Sequence, residues 1–153
     1  MAKVIYPPAP LEEGFSIFLA GSIEMGTAED WQARIIQSLA AYAVLIFNPR
    51  RENWDASWEQ RIENPPFRAQ VEWELTALER ANLIVMYLAP GTKSPVSLLE
   101  LGLFGRGGKM VVCCPPGFWR KGNVDIVCAR YGIEQVDSLE GVIQWIKSRL
   151  DGI

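Results

Sequence analysis

Histidine is absent from the 153-residue chain. That absence removes Ser-His-Asp triads, Cys-His pairs, His-ligated zinc and imidazole acid–base chemistry. An enzyme of this composition must run its proton and covalent chemistry on carboxylates, or on Lys, Tyr or Cys. Cysteine is scarce: Cys113, Cys114 and Cys128 are odd in number and form no C-x-x-C. They read as buried, reduced thiols of a cytoplasmic protein. No apolar run approaches the ~20 residues that span a bilayer, and the opening MAKVIYPPAP lacks the apolar core of a signal peptide. No membrane partner is expected. A basic excess is also missing, since 15 Lys+Arg stand against 18 Asp+Glu for a net charge of −3. A nucleic-acid polymer is therefore not expected as a partner, because phosphate binding needs a basic footprint. Internal repeats and low-complexity segments are absent as well.

What is present is a globular composition, 49% apolar and 22% charged, sufficient for one ordinary core. Residues 1–14 carry Pro7, Pro8 and Pro10 and read as an extended arm. The domain proper is expected over 15–153. FSIFLA (15–20), AVLIF (43–47), LIVMYLA (83–89) and KMVVCC (109–114) read as buried strands. Between them lie helical patterns. One opens at Thr27, with Asp30 in capping spacing, and runs to about Tyr42; the others cover 67–81 and 95–105. Ser94-Pro95 reads as an N-cap followed by proline at the first helical position. The segment 123–136 is less defined, and Asp137 with Glu140 has capping spacing ahead of a last amphipathic helix. Continuous apolar strands alternating with helices specify an α/β fold, a single doubly wound parallel-sheet domain. Ligands of such sheets sit beyond the carboxyl ends of the strands. The loops that matter are then 20–27, 48–66, 89–95 and 115–123.

On a helical wheel, the apolar residues of 95–105 point in nearly every direction, so that helix is expected to be buried all round. Glu100 is the one ionisable group inside it. A buried carboxylate must be paired, protonated or used. A structural ion pair is one reading; a nucleophile or acid/base beyond a strand-end loop is the other and the favoured one. Glu74 falls about 60° to one side of the stripe Val71, Leu75, Leu78, at the boundary of the core. Glu72, Glu79 and Arg68 fall on the solvated side. Gly21 and Ser22 open a turn that permits close backbone approach, without being a dinucleotide fingerprint. Trp54, Trp58 and Phe67, near Arg50 and Arg51, are of the type that stacks on a planar base.

Three stretches together are distinctive: FLAGSIEMGTAEDW (18–31), FNPRRENWD (47–55) and QVEWELTALERANLIVMYLAPGTKSPVSLLELG (70–102). With GNVDIVCARYGI (122–133), they resemble the nucleoside 2-deoxyribosyltransferase family in its short bacterial and phage branch. The resemblance implies a flavodoxin-like fold and transfer of 2-deoxyribose between nucleobases through a covalent glycosyl-glutamate, in two displacements with net retention. It places the nucleophile at Glu100 and the acid that handles the base at Glu74. It puts Gly21, Ser22, Asn53, Trp54, Asp55, Ser94, Ser97, Asn123 and Asp125 at the substrate. Asn123 and Asp125 match a pair supplied by a neighbouring subunit, which implies a homo-oligomer with shared sites, and Trp119 and Trp145 suit its interface core. The implied partners are small-molecule nucleosides and free nucleobases in nucleotide salvage, with no metal and no organic cofactor.

Two departures from the family pattern stand out. Phe18 occupies a position where many members carry a tyrosine directed at the nucleophile, leaving Tyr6 or a loop hydroxyl to orient Glu100. Ser94 occupies a position six residues before the nucleophile where members of the first branch carry an acid. The related deoxynucleoside-monophosphate N-hydrolases carry an arginine for the 5′-phosphate where this chain has Glu24. A carboxylate there favours nucleosides, whereas Ser94 and Ser97 as phosphate donors keep the hydrolase alternative open. A nucleotide-binding sensor without turnover is the alternative from another class.

Overall fold

The computed structural model describes residues 1–23, 30–50 and 58–152. Six strands form one wholly parallel sheet: β1 (Lys3–Ile5), β2 (Ser16–Gly21), β3 (Leu45–Phe47), β4 (Leu83–Tyr87), β5 (Met110–Cys113) and β6 (Glu134–Val136). Their spatial order is β1-β3-β2-β4-β5-β6. Among the described residues, four α-helices connect successive strands from β2 onward, α1 (Trp31–Ser38), α2 (Pro65–Arg80), α3 (Pro95–Phe104) and α4 (Lys121–Tyr131), and a fifth, α5 (Leu139–Asp151), follows β6. The doubly wound α/β architecture read from the alternating apolar runs is the one observed. β2 is buried at every position because helices cover both of its faces. Phe18 and Ala20 point into the layer containing α2, α3 and α4, while Ile17 and Leu19 point into the layer containing α1 and α5.

From β2 the chain moves outward to β3, then crosses back to β4 on the other side of β2. The carboxyl ends of β2 and β4 therefore flank a topological switch point, where such sheets leave a crevice. The strands approach closely there. Gly21 has φ +133°, and a Cβ on it would stand 2.1 Å from the Tyr87 carbonyl oxygen, so only glycine fits. The next amide, that of Ser22, donates to the same oxygen at 2.9 Å.

Several boundaries differ from the sequence reading. The first strand is part of the expected arm: Lys3, Val4 and Ile5 pair with Leu45, Ile46 and Phe47 at the sheet edge. The chain beyond it is pinned by Trp73, whose Nε1 donates to the Ala9 carbonyl at 2.9 Å. α1 begins at Trp31, with Asp30 as its cap accepting from the Ala33 amide at 3.1 Å; Thr27 lies outside the described residues. That helix stops at Ser38 rather than near Tyr42. The segment 123–136 resolves into most of α4 and then β6. Ser138, not Asp137, caps α5: its backbone is extended and its Oγ accepts from the Gly141 amide at 3.0 Å. Among the described residues no helix is long and apolar enough to cross a membrane.

Candidate active site

The helix carrying Glu100 starts just beyond the switch point. α3 buries Ser97, Glu100 and Leu101 and leaves Glu100 only 6% exposed. The expectation of a helix buried all round does not hold. Val96, Leu99 and Leu103 are 60%, 64% and 60% exposed, forming an apolar stripe on the side away from the sheet. One face packs on the sheet, and among the described residues nothing covers the other.

α2 brings the second carboxylate. Its buried positions are Gln70, Ala77 and Leu78, one turn on either side of Glu74. Glu74 itself is only partly buried, at the boundary of the core as the wheel placed it. Val71 and Leu75 are only partly buried, so centring the stripe on the largest apolar side chains displaced it. Arg68, Glu72 and Glu79 are exposed, as the wheel required. Burial drives the Glu74 pKa up to about 7, opposed by a hydrogen bond from Gln70. Glu100 is pushed up to about 8, first by burial and then by the charge of Glu74. The two carboxyl groups thus feel one another across the α2–α3 contact in low-dielectric surroundings.

Phe18 helps to create those surroundings. It is fully buried in the cluster that includes Phe47, Met86, Ala77 and Leu101, with Trp73 packed against it. A ring there supplies desolvation, not a donor. Among the described residues none donates a hydrogen bond to Glu100, so neither Tyr6, which is 46% exposed, nor a loop hydroxyl orients it.

Between the end of β2 and the start of α3 lies a buried triangle of hydroxyls. Ser22 Oγ is 2.9 Å from Thr92 Oγ1 and 2.7 Å from Ser94 Oγ, and the last two are 3.0 Å apart. Thr92 donates to the Ala89 carbonyl at 2.8 Å, and the Ala89 amide donates to Ser22 Oγ at 2.9 Å. Trp31 Nε1 fixes the Ser22 carbonyl at 2.9 Å. Ser94 stands at the cap position of α3 but makes no side-chain cap bond; its φ of +46° is left-handed, an uncommon conformation for a residue with a Cβ. The triangle locks the loop before the Glu100 helix onto the end of β2. Thr92 is the member sequence reasoning missed, because only the sheet topology brings it to Ser22. Ser97 is buried in the first turn of α3 and has no hydrogen-bond partner among the described residues.

The remaining expected residues are distributed as follows. Glu24, Arg51, Asn53, Trp54 and Asp55 lie outside the described residues. Arg50 follows β3, with its amide on Asn48 Oδ1 at 3.0 Å and its Nε 3.7 Å from Asp30 Oδ1. Asn123 is exposed in the first turn of α4. Asp125 is held within its own chain by Lys121 Nζ at 3.1 Å and Gln135 Nε2 at 3.0 Å, and these partners keep its pKa low. Trp119 is half-exposed and donates to the Lys93 carbonyl at 2.8 Å, joining the 115–123 loop to the start of α3. Trp145 is interior, not interfacial: it packs in the α1/α5 core, and its Nε1 donates to Glu134 at 2.7 Å.

The three cysteines are free and buried, and burial pushes each thiol up to about 11, so they are not nucleophiles. Among the described residues no three Cys, Asp or Glu side chains come together as a metal site. The chemistry available is that of two electrostatically coupled carboxyl groups, Glu100 buried and Glu74 partly so, and of a hydroxyl-braced turn that leads into the Glu100 helix. A search among curated proteins finds no match to this chain. Residues 14–118, which carry both carboxylates and the hydroxyl triangle, match the family described as nucleoside 2-deoxyribosyltransferase like. The chain belongs to that family.

Proposed function

We propose that the protein transfers 2-deoxyribose between nucleobases by double displacement. The observation that carries this reading is the pair of the buried Glu100 and the partly buried Glu74, in which each carboxyl is raised into the neutral range and Glu100 is raised further by Glu74. Of the two singly protonated forms, the first half-reaction consumes the minor one, with the proton on Glu74 and the more basic Glu100 ionised. Glu100, ionised, attacks the anomeric carbon, forming a C–O bond as the C–N bond to the base breaks. Glu74, protonated, gives its proton to the departing base nitrogen. In the second half-reaction an incoming base attacks the ester, loses its proton to Glu74 and releases the Glu100 carboxylate. Each displacement inverts, so the configuration is retained overall.

Gly21 and Ser22, with Ser94, form the braced turn that faces the sugar in this reading. The exposed stripe Val96, Leu99 and Leu103, on the helix that bears Glu100, supports an oligomer whose partner subunit closes the site. Asn123 and Asp125 are the residues proposed to reach across. The ties of Asp125 to Lys121 and Gln135 would loosen on that docking.

A second reading, hydrolysis of 2′-deoxynucleoside 5′-monophosphates with water as the acceptor, is favoured by one observation. Ser97, 5% exposed, lies in the first turn of α3, where an anion is stabilised. The deciding experiment incubates the protein with a deoxynucleoside or its monophosphate, with and without a second free base. Base exchange on the nucleoside is expected. Base release to water from the monophosphate alone selects the second reading, and binding without turnover selects a sensor.

A further inference from the structure

Gln70 lies one helical turn before Glu74 on α2, the spacing at which side chains stack. It is 4% exposed, a burial that an amide tolerates only when its polar atoms are satisfied. Its Nε2 donates to Glu74 Oε2 at 3.0 Å and to the Pro49 carbonyl at 3.3 Å. Both amide protons are thereby committed, one to the acid and one to the backbone just beyond β3. The contact anchors a flexible side chain on the inward helix face to the rigid end of a strand.

We infer that Gln70 is a positioning residue for Glu74: it ties down Oε2, so that Oε1 is the oxygen that carries the proton and delivers it to the base. The inference rests on the transfer reading above and names the atom through which its acid acts. An oxygen that accepts an N–H bond holds a proton less readily than its free neighbour, so protonation falls on Oε1. The same bond stabilises the carboxylate over the acid and opposes the effect of burial. It thereby keeps Glu74 acidic enough to release its proton. Glu100 on α3 is the titratable group coupled to Glu74, whose charge raises it. The sheet beneath presents the apolar Phe18, Phe47 and Met86. The cation of the 48–50 segment, Arg50, is directed at Asp30.

The test replaces the amide with a side chain of similar length that cannot donate, Gln70→Met, and follows the Glu74 carboxyl by carbon-detected NMR titration, assigned by its loss in Glu74→Gln. In the folded variant the Glu74 midpoint should move up by about one pH unit. With a deoxynucleoside and a free base, kcat should fall about tenfold while KM changes less than about threefold. Gln70→Asn, too short to reach the acid, should give the same shift and serves if the Met variant does not fold. An unmoved midpoint in a folded variant overturns the inference, as does a moved midpoint with unchanged kcat. The titration is read on resting protein, so a failure of the transfer reading would show separately, as absent turnover in the unaltered enzyme.

Discussion

The α1/α5 layer closes over the sheet with Trp31, Ile35, Leu39, Val142 and Ile146, all fully buried. The first turns of both its helices are satisfied by side chains, Asp30 in α1 and Ser138 in α5. The opposite layer packs α2, α3 and α4 on the same sheet, and not one of the three has a side-chain cap bond. It also holds the buried Glu100, the partly buried Glu74 and, at Ser94, a left-handed residue with a Cβ. The first layer has capped helix starts, although it buries the Gln32 amide of α1 without a hydrogen-bond partner among the described residues. The other keeps helix starts uncapped and charge desolvated next to the switch point, the combination expected where binding and chemistry cost fold stability.

The sharpest way to break that contrast is Glu100→Gln. Turnover should drop at least ~10³-fold. The fold should be as stable as before or more so, since the change removes a buried ionisable group. Steady-state kinetics paired with thermal unfolding reads both. The converse substitution in the other layer, Ile146→Ala, should cost about 2–5 kcal/mol of stability through the cavity it leaves. Activity per folded molecule should be nearly unchanged. Denaturant titration and active-site counting would measure the two, and a large loss of specific activity would erase the distinction between the layers.

A smaller effect sharpens the comparison through pH. Glu74 and Glu100 have folded pKa values of about 7 and about 8, above the ordinary carboxyl value of 4.5. Between 4.5 and 8 the folded state therefore binds more protons than the unfolded state, so this pair makes stability fall as pH rises through that window. The Tm advantage of Glu100→Gln over the unaltered protein should widen from pH 5 to pH 8.5. An advantage independent of pH would mean that the carboxyl titrates normally.

The strands of the sheet interior were legible in the sequence because runs such as LIVMY have no polar face to offer water. β1 was not, since it is three residues long and runs into prolines, and its pairing is visible only once β3 is in place. Glu100 stood out as the one charge in an apolar helix. The same apolarity misled about the helix as a whole, because composition cannot say whether the cover of Val96, Leu99 and Leu103 comes from the same chain. Glu74 at the core boundary was legible too, although a small Ala77 and a polar Gln70, rather than Val71 and Leu75, occupy the buried positions beside it. Thr92 and Gln70 gave no sequence signal. Their roles arise from contacts with Ser22, 70 residues away, and with Pro49, 21 away, that the crossovers create.

The central claim is that Glu100 becomes covalently glycosylated. Intact-protein mass spectrometry after brief mixing with a deoxynucleoside, without an acceptor base, tests it most directly, with peptide mapping of any adduct. The predicted result is one added deoxyribosyl group per chain on the peptide containing Glu100, absent in Glu100→Gln and lost on adding a free base. Turnover without any adduct, retained in folded Glu100→Gln, would contradict it.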